Sequence, residues 1–304
     1  MKVSIIGAGT DLGVHLDGAR YGSNQLINDI KNSFEVDISN LVQDNNIIKS
    51  RNLSDKRKNE YEINKFNEKI FNIITDKIKN GFFPITIGGD HSSSIASVMA
   101  DSSFSKEDGI GLIWIDSSSC FSSYETTVTG NIKDVSCTAV TGYKCDELIK
   151  FCLDKTIDPR KVVIIGARNI SKPEKDNIKY SGVTVFTISD IEEKGINNVM
   201  DEAFKIAGDN TEGVHVSYDI SVIDPELAPG VSVPQVDGIS KEDAMTILTK
   251  TLENIDIVRA YDVVGLDPLR DEDRKTEQIA LDILASVIKK VENDKGNKKT
   301  IKRY

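Results

Sequence analysis

Short runs of β-branched and aliphatic residues alternate along the chain with longer stretches whose apolar positions recur at helical spacing. The short runs cover residues 3–6, 84–87, 111–115, 162–165, 183–186, 214–218 and 257–261, and most are apolar at consecutive positions. A strand buried on both faces reads this way, whereas a strand with one wet face alternates. Among the longer stretches, 58–79 carries Phe66, Ile70, Ile73 and Ile74 on one stripe of a charged segment. In 276–291, Ile279, Ile283, Leu284, Val287 and Ile288 recur at the same spacing. Strand followed by helix, repeated, predicts a mainly parallel sheet covered by helices on both faces, a three-layer α/β/α fold. No linker composition interrupts the pattern, and no segment repeats at a fixed period. A single domain is expected over 1–292, with the basic segment 293–304 as a frayed tail.

Sheets of this type place their chemistry in the crevice beyond the carboxyl ends of the strands. Four expected strands run out there into polar, acid-bearing sequence. These are Gly88-Gly89-Asp90-His91-Ser92, Asp116-Ser117-Ser118-Ser119-Cys120, Ser217-Tyr218-Asp219-Ile220-Ser221 and Asp262-Val263-Val264-Gly265. The paired glycines permit a sharp turn and a close backbone approach before a carboxylate and an imidazole are delivered together. One strand-end Asp alone is more often a turn or cap residue than a ligand. A histidine and several Asp residues converging from separate strands form a mixed nitrogen and oxygen set, which suits a divalent transition metal.

These segments resemble the metal motifs of the arginase (ureohydrolase) family. Gly88-Gly89-Asp90-His91-Ser92 is similar to the first motif. The run from Ile115 to Cys120 lines up with the second, commonly Asp-Ala-His-x-Asp. The run from Ser217 to Pro225, followed by Ala228-Pro229-Gly230, resembles the third, Ser-x-Asp-x-Asp-x-x-Asp-Pro with Ala-Pro-Gly after it. The opening from Asp11-Leu12-Gly13 through Gly18 and Gly22 is similar too. Thr127-Val128-Thr129-Gly130-Asn131 resembles the substrate loop of the arginase branch rather than the agmatinase branch. The resemblance runs in order over nearly the whole chain. It implies the arginase fold, assembly as a homo-oligomer (trimer or hexamer), and hydrolysis of a guanidino group by a hydroxide bridging two manganese ions.

Position by position, the resemblance also implies losses. His91, Asp116 and Asp219 keep the ligand identities of the family, but Ser118 stands where a ligand His is expected, and Cys120 and Ser221 where ligand Asp residues are expected. Lys133 falls at the position of the proton-shuttling His, and Gly265 at that of the Glu that binds the guanidinium. Of the substrate-reading positions near Ser122, Thr129, Asn131 and 169–171, only Asn131 keeps its family identity. One metal position is thereby stripped to its shared carboxylates. The other, His91, Asp116, Cys120 and Asp219, remains a set for a single Zn, Fe or Co ion, since a thiolate suits these better than manganese.

The expectation is therefore a family member without the dinuclear manganese centre and without arginase activity, serving as a binding or regulatory homologue with no cofactor. The alternative is a metal-dependent amidinohydrolase of arginase or agmatinase type working with one residual ion. Without metal, Asp90, Asp116 and Asp219 need another cation, and the flexible Lys133 ammonium is expected to supply it. Neighbouring acids are expected to raise the Cys120 thiol and leave it inert.

Composition narrows the partners. A formal charge of -10 over 304 residues argues against a general nucleic-acid or anionic-membrane surface. The opening apolar run is short and breaks at a Gly/Asp turn, so neither an export signal nor a membrane span is expected. Cys120, Cys137, Cys145 and Cys152 show no metal-finger or redox spacing, in keeping with reduced thiols and a cytoplasmic location. The remaining acids leave an amino acid or guanidino compound as the expected small-molecule ligand.

Overall fold

The computed structural model describes residues 1–52 and 54–297. Eight strands form one sheet: β1 (Val3–Gly9), β2 (Asp37–Val42), β3 (Phe83–Gly88), β4 (Gly111–Ile115), β5 (Val162–Ala167), β6 (Thr184–Thr187), β7 (Val214–Asp219) and β8 (Val258–Val264). Their order is β2-β1-β3-β8-β7-β4-β5-β6, and every pairing is parallel. The helices are α1 (Gly22–Ser33), α2 (Glu60–Lys79), α3 (Ser94–Ser102), α4 (Ser136–Val140), α5 (Lys172–Ser181), α6 (Ile188–Lys194), α7 (Ile196–Gly208), α8 (Lys241–Glu253) and α9 (Lys275–Asn297).

Two apolar layers sandwich the sheet. On one face Ile5, Ile85, Ile113, Val163, Val216 and Tyr261 pack with α1, α7, α8 and α9 through residues such as Leu26, Met200, Ile247 and Ile283. On the other, Ile6, Leu112, Trp114 and Ile164 meet α2 and α3 through Ile63, Ile70, Ile95 and Met99. The result is a three-layer α/β/α domain, because a sheet greasy on both faces must be covered twice.

Each expected strand is present within a residue or a few of its predicted bounds. β2 was not anticipated. Its sequence Asp37-Ile38-Ser39-Asn40-Leu41-Val42 is polar at half its positions because it is a sheet edge and only partly buried. α9 continues through Asn297, into the segment expected as a tail, and residues 298–304 lie outside the described residues.

The strand order positions the site. β3, β8, β7 and β4 are consecutive neighbours, so the four acid-bearing strand ends lie side by side. Alternation along β7 turns His215, Ser217 and Asp219 to one face and Val214, Val216 and Tyr218 to the other. α3 covers the polar face and is buried along its whole length; its Ser94 and Asp101 meet that stripe, and its Ser97 bonds Asp262 of β8.

Candidate functional site

Past the end of β3, Gly89 runs so close to β1 that a side-chain carbon there would lie 1.8 Å from the Thr10 carbonyl oxygen. This approach delivers Asp90 and His91 to the crevice. Asp90 then caps the 3-10 turn His91–Ser93: its Oδ1 accepts from the Ser92 amide and its Oδ2 from the Gly13 amide, each at 2.8 Å. Both carboxylate oxygens are committed to backbone donors. Asp90 therefore stands apart from the expected knot of three carboxylates and acts as a cap. Burial raises its pKa, against the pull of those hydrogen bonds.

Asp116, at the tip of β4, is the hub. Lys133, in the 3-10 turn Ile132–Val135, places Nζ 2.8 Å from Asp116 Oδ2 and 3.1 Å from Oδ1. His91 Nδ1 lies 2.7 Å from the same Oδ2, and Cys120 Sγ lies 3.1 Å from it. Ser221 Oγ approaches Oδ1 at 3.2 Å. Asp219, at the tip of β7, spends Oδ1 on the Ser221 amide. Its Oδ2 makes no hydrogen bond within the described residues and faces His91 Nδ1 at 3.4 Å and Lys133 Nζ at 3.7 Å. His91 is held from its other side by Ser217 Oγ at 2.9 Å and stacks on Trp114, with ring centroids 3.7 Å apart and planes 8° from parallel.

The Lys133 ammonium and the His91 imidazole thus face two carboxylates in a buried site. Burial alone would raise Asp116, but the Lys133 ammonium and the His91 hydrogen bond outweigh it and hold the carboxyl far below its ordinary range. Burial opposes the charge on Lys133 and His91 too, yet both are raised, Lys133 chiefly by the Asp116 charge and His91 by its bond to Asp116 and by the nearby Asp219 carboxylate. Burial, then the Asp116 charge, raise the Cys120 thiol well above its ordinary value, so it sits as a neutral donor.

A cavity of about 20 Å³ remains beside Lys133 and Asp219, walled by Val14, Ala19, Val231 and Val233 among others, which is room for roughly one water. Ser118 sits at the edge of the cluster, where Gln235 Nε2 donates to its hydroxyl at 3.1 Å. The Gln235 carbonyl accepts in turn from Arg168, whose guanidinium also bonds the carbonyls of Ser221 and Val222. Ser122, Thr129 and Asn131 are organised around Asp134: the Thr129 hydroxyl bonds its carboxylate and accepts from the Asn131 amide, and the Ser122 amide donates to the Asp134 carbonyl. In the 169–171 stretch, Ser171 caps α5 in a capping box with Glu174.

Ser217, Trp114, Arg168 and Gln235 were not singled out in the sequence. Ser217 was within reach of it, because a residue two before Asp219 on a strand shares its face. Through Ser217 the cluster meets a second buried network. Asp262 Oδ2 lies 3.1 Å from Ser217 Oγ and 3.0 Å from His215 Nε2. His215 Nδ1 faces Asp101 at 3.4 Å, and Arg259 bonds Asp101 at 2.9 Å. Burial would lower His215, but Asp262 and Asp101 raise it to about 9.

Comparison with known proteins decides the lineage. The sequence profile of the Arginase family matches residues 1–289. The chain belongs to the arginase family. An arginase of Brevibacillus brevis is 33% identical over 74% of this chain and 75% of its own length. An arginase of Bacillus subtilis is 29% identical over 95% and 98%. The crystal structure of an arginase from Bacillus cereus superposes with a TM-score of 0.85 at 28% identity, covering 94% of this chain and 98% of that one.

The manganese pair implied by arginase kinship does not fit the residues this family member presents. The Ser118 and Ser221 hydroxyls bring no negative charge, and both are engaged, Ser118 by Gln235 and Ser221 by Asp116 and Ser117. The shared carboxylate Asp116 already carries an ammonium. Gly265 offers no carboxylate: its φ is +94°, and a side-chain carbon there would lie 2.2 Å from Asp219 Oδ1. Donor atoms of His91, Asp116 and Cys120 do lie within 4.8 Å of one another. Asp219 is not part of that group.

Proposed function

We propose that this arginase-family chain does not hydrolyse arginine and serves as a cytoplasmic binding or regulatory protein on an enzyme scaffold, free of metal. The observation that carries the reading is the Lys133 ammonium 2.8 Å from Asp116, where the family chemistry requires a metal-bound carboxylate. Ser118, Ser221 and Gly265 support it, because each stands where a ligand or an anchor is expected and supplies none, and Cys120 puts a thiol where a carboxylate is expected. A cavity with room for roughly one water adds to this: an amino-acid or guanidino ligand has to displace side chains that line it to enter. Assembly as a trimer or hexamer belongs to the same proposal, and sedimentation analysis measures it.

A second reading, an amidinohydrolase with one soft ion, draws on the gathering of His91, Asp116 and Cys120 and on relatives that are named arginases. Such an ion has to expel Lys133 before it can lower the pKa of a bound water.

Metal analysis of protein purified without chelator and then offered Mn²⁺ or Zn²⁺, paired with a urea assay on arginine, separates the readings. The metal-free reading expects far less than one ion per chain and no urea. One zinc per chain with turnover of a guanidino substrate establishes the second reading. Two manganese ions with urea release overturn both.

A further inference from the structure

We infer that the cleft is an ammonium-recognition site filled by the chain's own lysine, and that it accepts a free primary alkylammonium ion once the tether is removed. The inference rests on the metal-free reading and names what takes the metal's place. Four acceptors converge on Lys133 Nζ: Asp116 Oδ2 at 2.8 Å, Asp116 Oδ1 at 3.1 Å, Asp219 Oδ2 at 3.7 Å and Cys120 Sγ at 3.8 Å. An ammonium has three N–H donors and no acceptor, which matches one bond to Asp116, one towards Cys120 and one towards Asp219. Asp219 supplies an independent sign that a donor belongs here. It is 1% exposed, its Oδ2 makes no hydrogen bond within the described residues, and it lines the cavity together with Lys133.

Size and charge set the selectivity. A planar guanidinium needs room for its fork, and the cavity is only about 20 Å³. A dication needs ligand contacts of about 2.0–2.3 Å, whereas the acceptors here stand 2.8–3.8 Å from the lysine nitrogen, at ammonium spacing. The root of the tether is fixed independently of its charge: the Lys133 amide donates to the Gly13 carbonyl at 3.0 Å, and the Ser136 hydroxyl donates to the Lys133 carbonyl at 2.7 Å. Shortening the side chain therefore empties the site and leaves its walls in place.

Lys133→Ala removes Cγ through Nζ, the equivalent of n-propylammonium, which makes that ion the matched probe. Thermal unfolding of the full chain is followed with n-propylammonium chloride, tetramethylammonium chloride, ZnCl₂ or MnCl₂ at matched ionic strength. Lys133→Ala is expected to lower Tm by about 5–10 °C, as loss of one partner of a buried pair does. Saturating n-propylammonium restores about half of that loss, while tetramethylammonium restores none and wild type does not respond. Lys133→Met fills the tether's space without charge and gains nothing from the probe. If Lys133→Ala does not fold alone, refolding in n-propylammonium is expected to recover native circular dichroism. The inference is overturned by no recovery, by equal effects of the two ammonium ions, or by equal responses of the Ala and Met variants. Stoichiometric zinc or manganese that restores more than the alkylammonium overturns it as well. The metal-free reading is judged separately, on wild-type metal content and urea release.

Discussion

Lys133 and Asp116 show how one side chain sets the energetics of a site. Removing one partner of a buried, hydrogen-bonded ion pair leaves the other uncompensated, at a cost of about 3–5 kcal/mol. Lys133→Met is expected to lose that much in urea unfolding, and a loss below about 1 kcal/mol would show that Asp116 finds another donor. Gly265 has the opposite constraint. Its φ of +94° and the Asp219 oxygen 2.2 Å from any added carbon mean that even Gly265→Ala is destabilising, by about 1–3 kcal/mol. Calorimetry showing an unchanged Tm for that variant would mean that Asp219 is free to swing away. His215 gives a pH signature. Its folded pKa of about 9 lies above the ordinary value of 6.5, so its contribution is full below pH 6.5 and is lost as pH rises through 9. His215 is expected to contribute on the order of 3 kcal/mol to the loss across that window, and His215→Gln is expected to show a shallower profile there.

At the scale of elements, four neighbouring strands bring their carboxyl ends to one line, and most of this was legible. Apolar runs such as 111–115 and 162–165 announce buried parallel strands, because only a doubly covered strand has no polar face. The motif residues at their ends pointed to Asp116, His91 and Asp219 as the polar centre. The edge strand β2 was not legible, since half-burial leaves no pattern distinct from a loop. Neither was the fate of Asp90, because a cap and a ligand have the same local sequence and differ only in which amides arrive: here those of Ser92 and of the distant Gly13. The Arg168–Gln235 strap was hidden for a related reason, since its partners are backbone carbonyls, which leave no mark on residue identity. The elements also set the order in which a metal site can be rebuilt. Ser118→His, Cys120→Asp and Ser221→Asp together are expected to bind little manganese while Lys133 keeps Asp116. Adding Lys133→His is expected to raise uptake sharply, as read by metal analysis of dialysed protein. Equal uptake by the triple and quadruple variants would show that the lysine yields freely.

For the whole molecule, the proposed metal-free state predicts indifference to chelation. Prolonged dialysis against EDTA is expected to leave Tm within about 1 °C of its starting value, whereas a protein folded around an ion loses the binding free energy. A drop of several degrees would point to a resident ion. The chain also carries a single tryptophan, Trp114, wholly buried and stacked on the His91 ring. The imidazole stacked on it is placed to quench the excited indole, so the native protein should be dim at a blue-shifted wavelength, and light returns when the rings part. The fluorescence of the entire protein is thus a label-free optical gauge of this one crevice, readable in a cuvette during any titration that disturbs it.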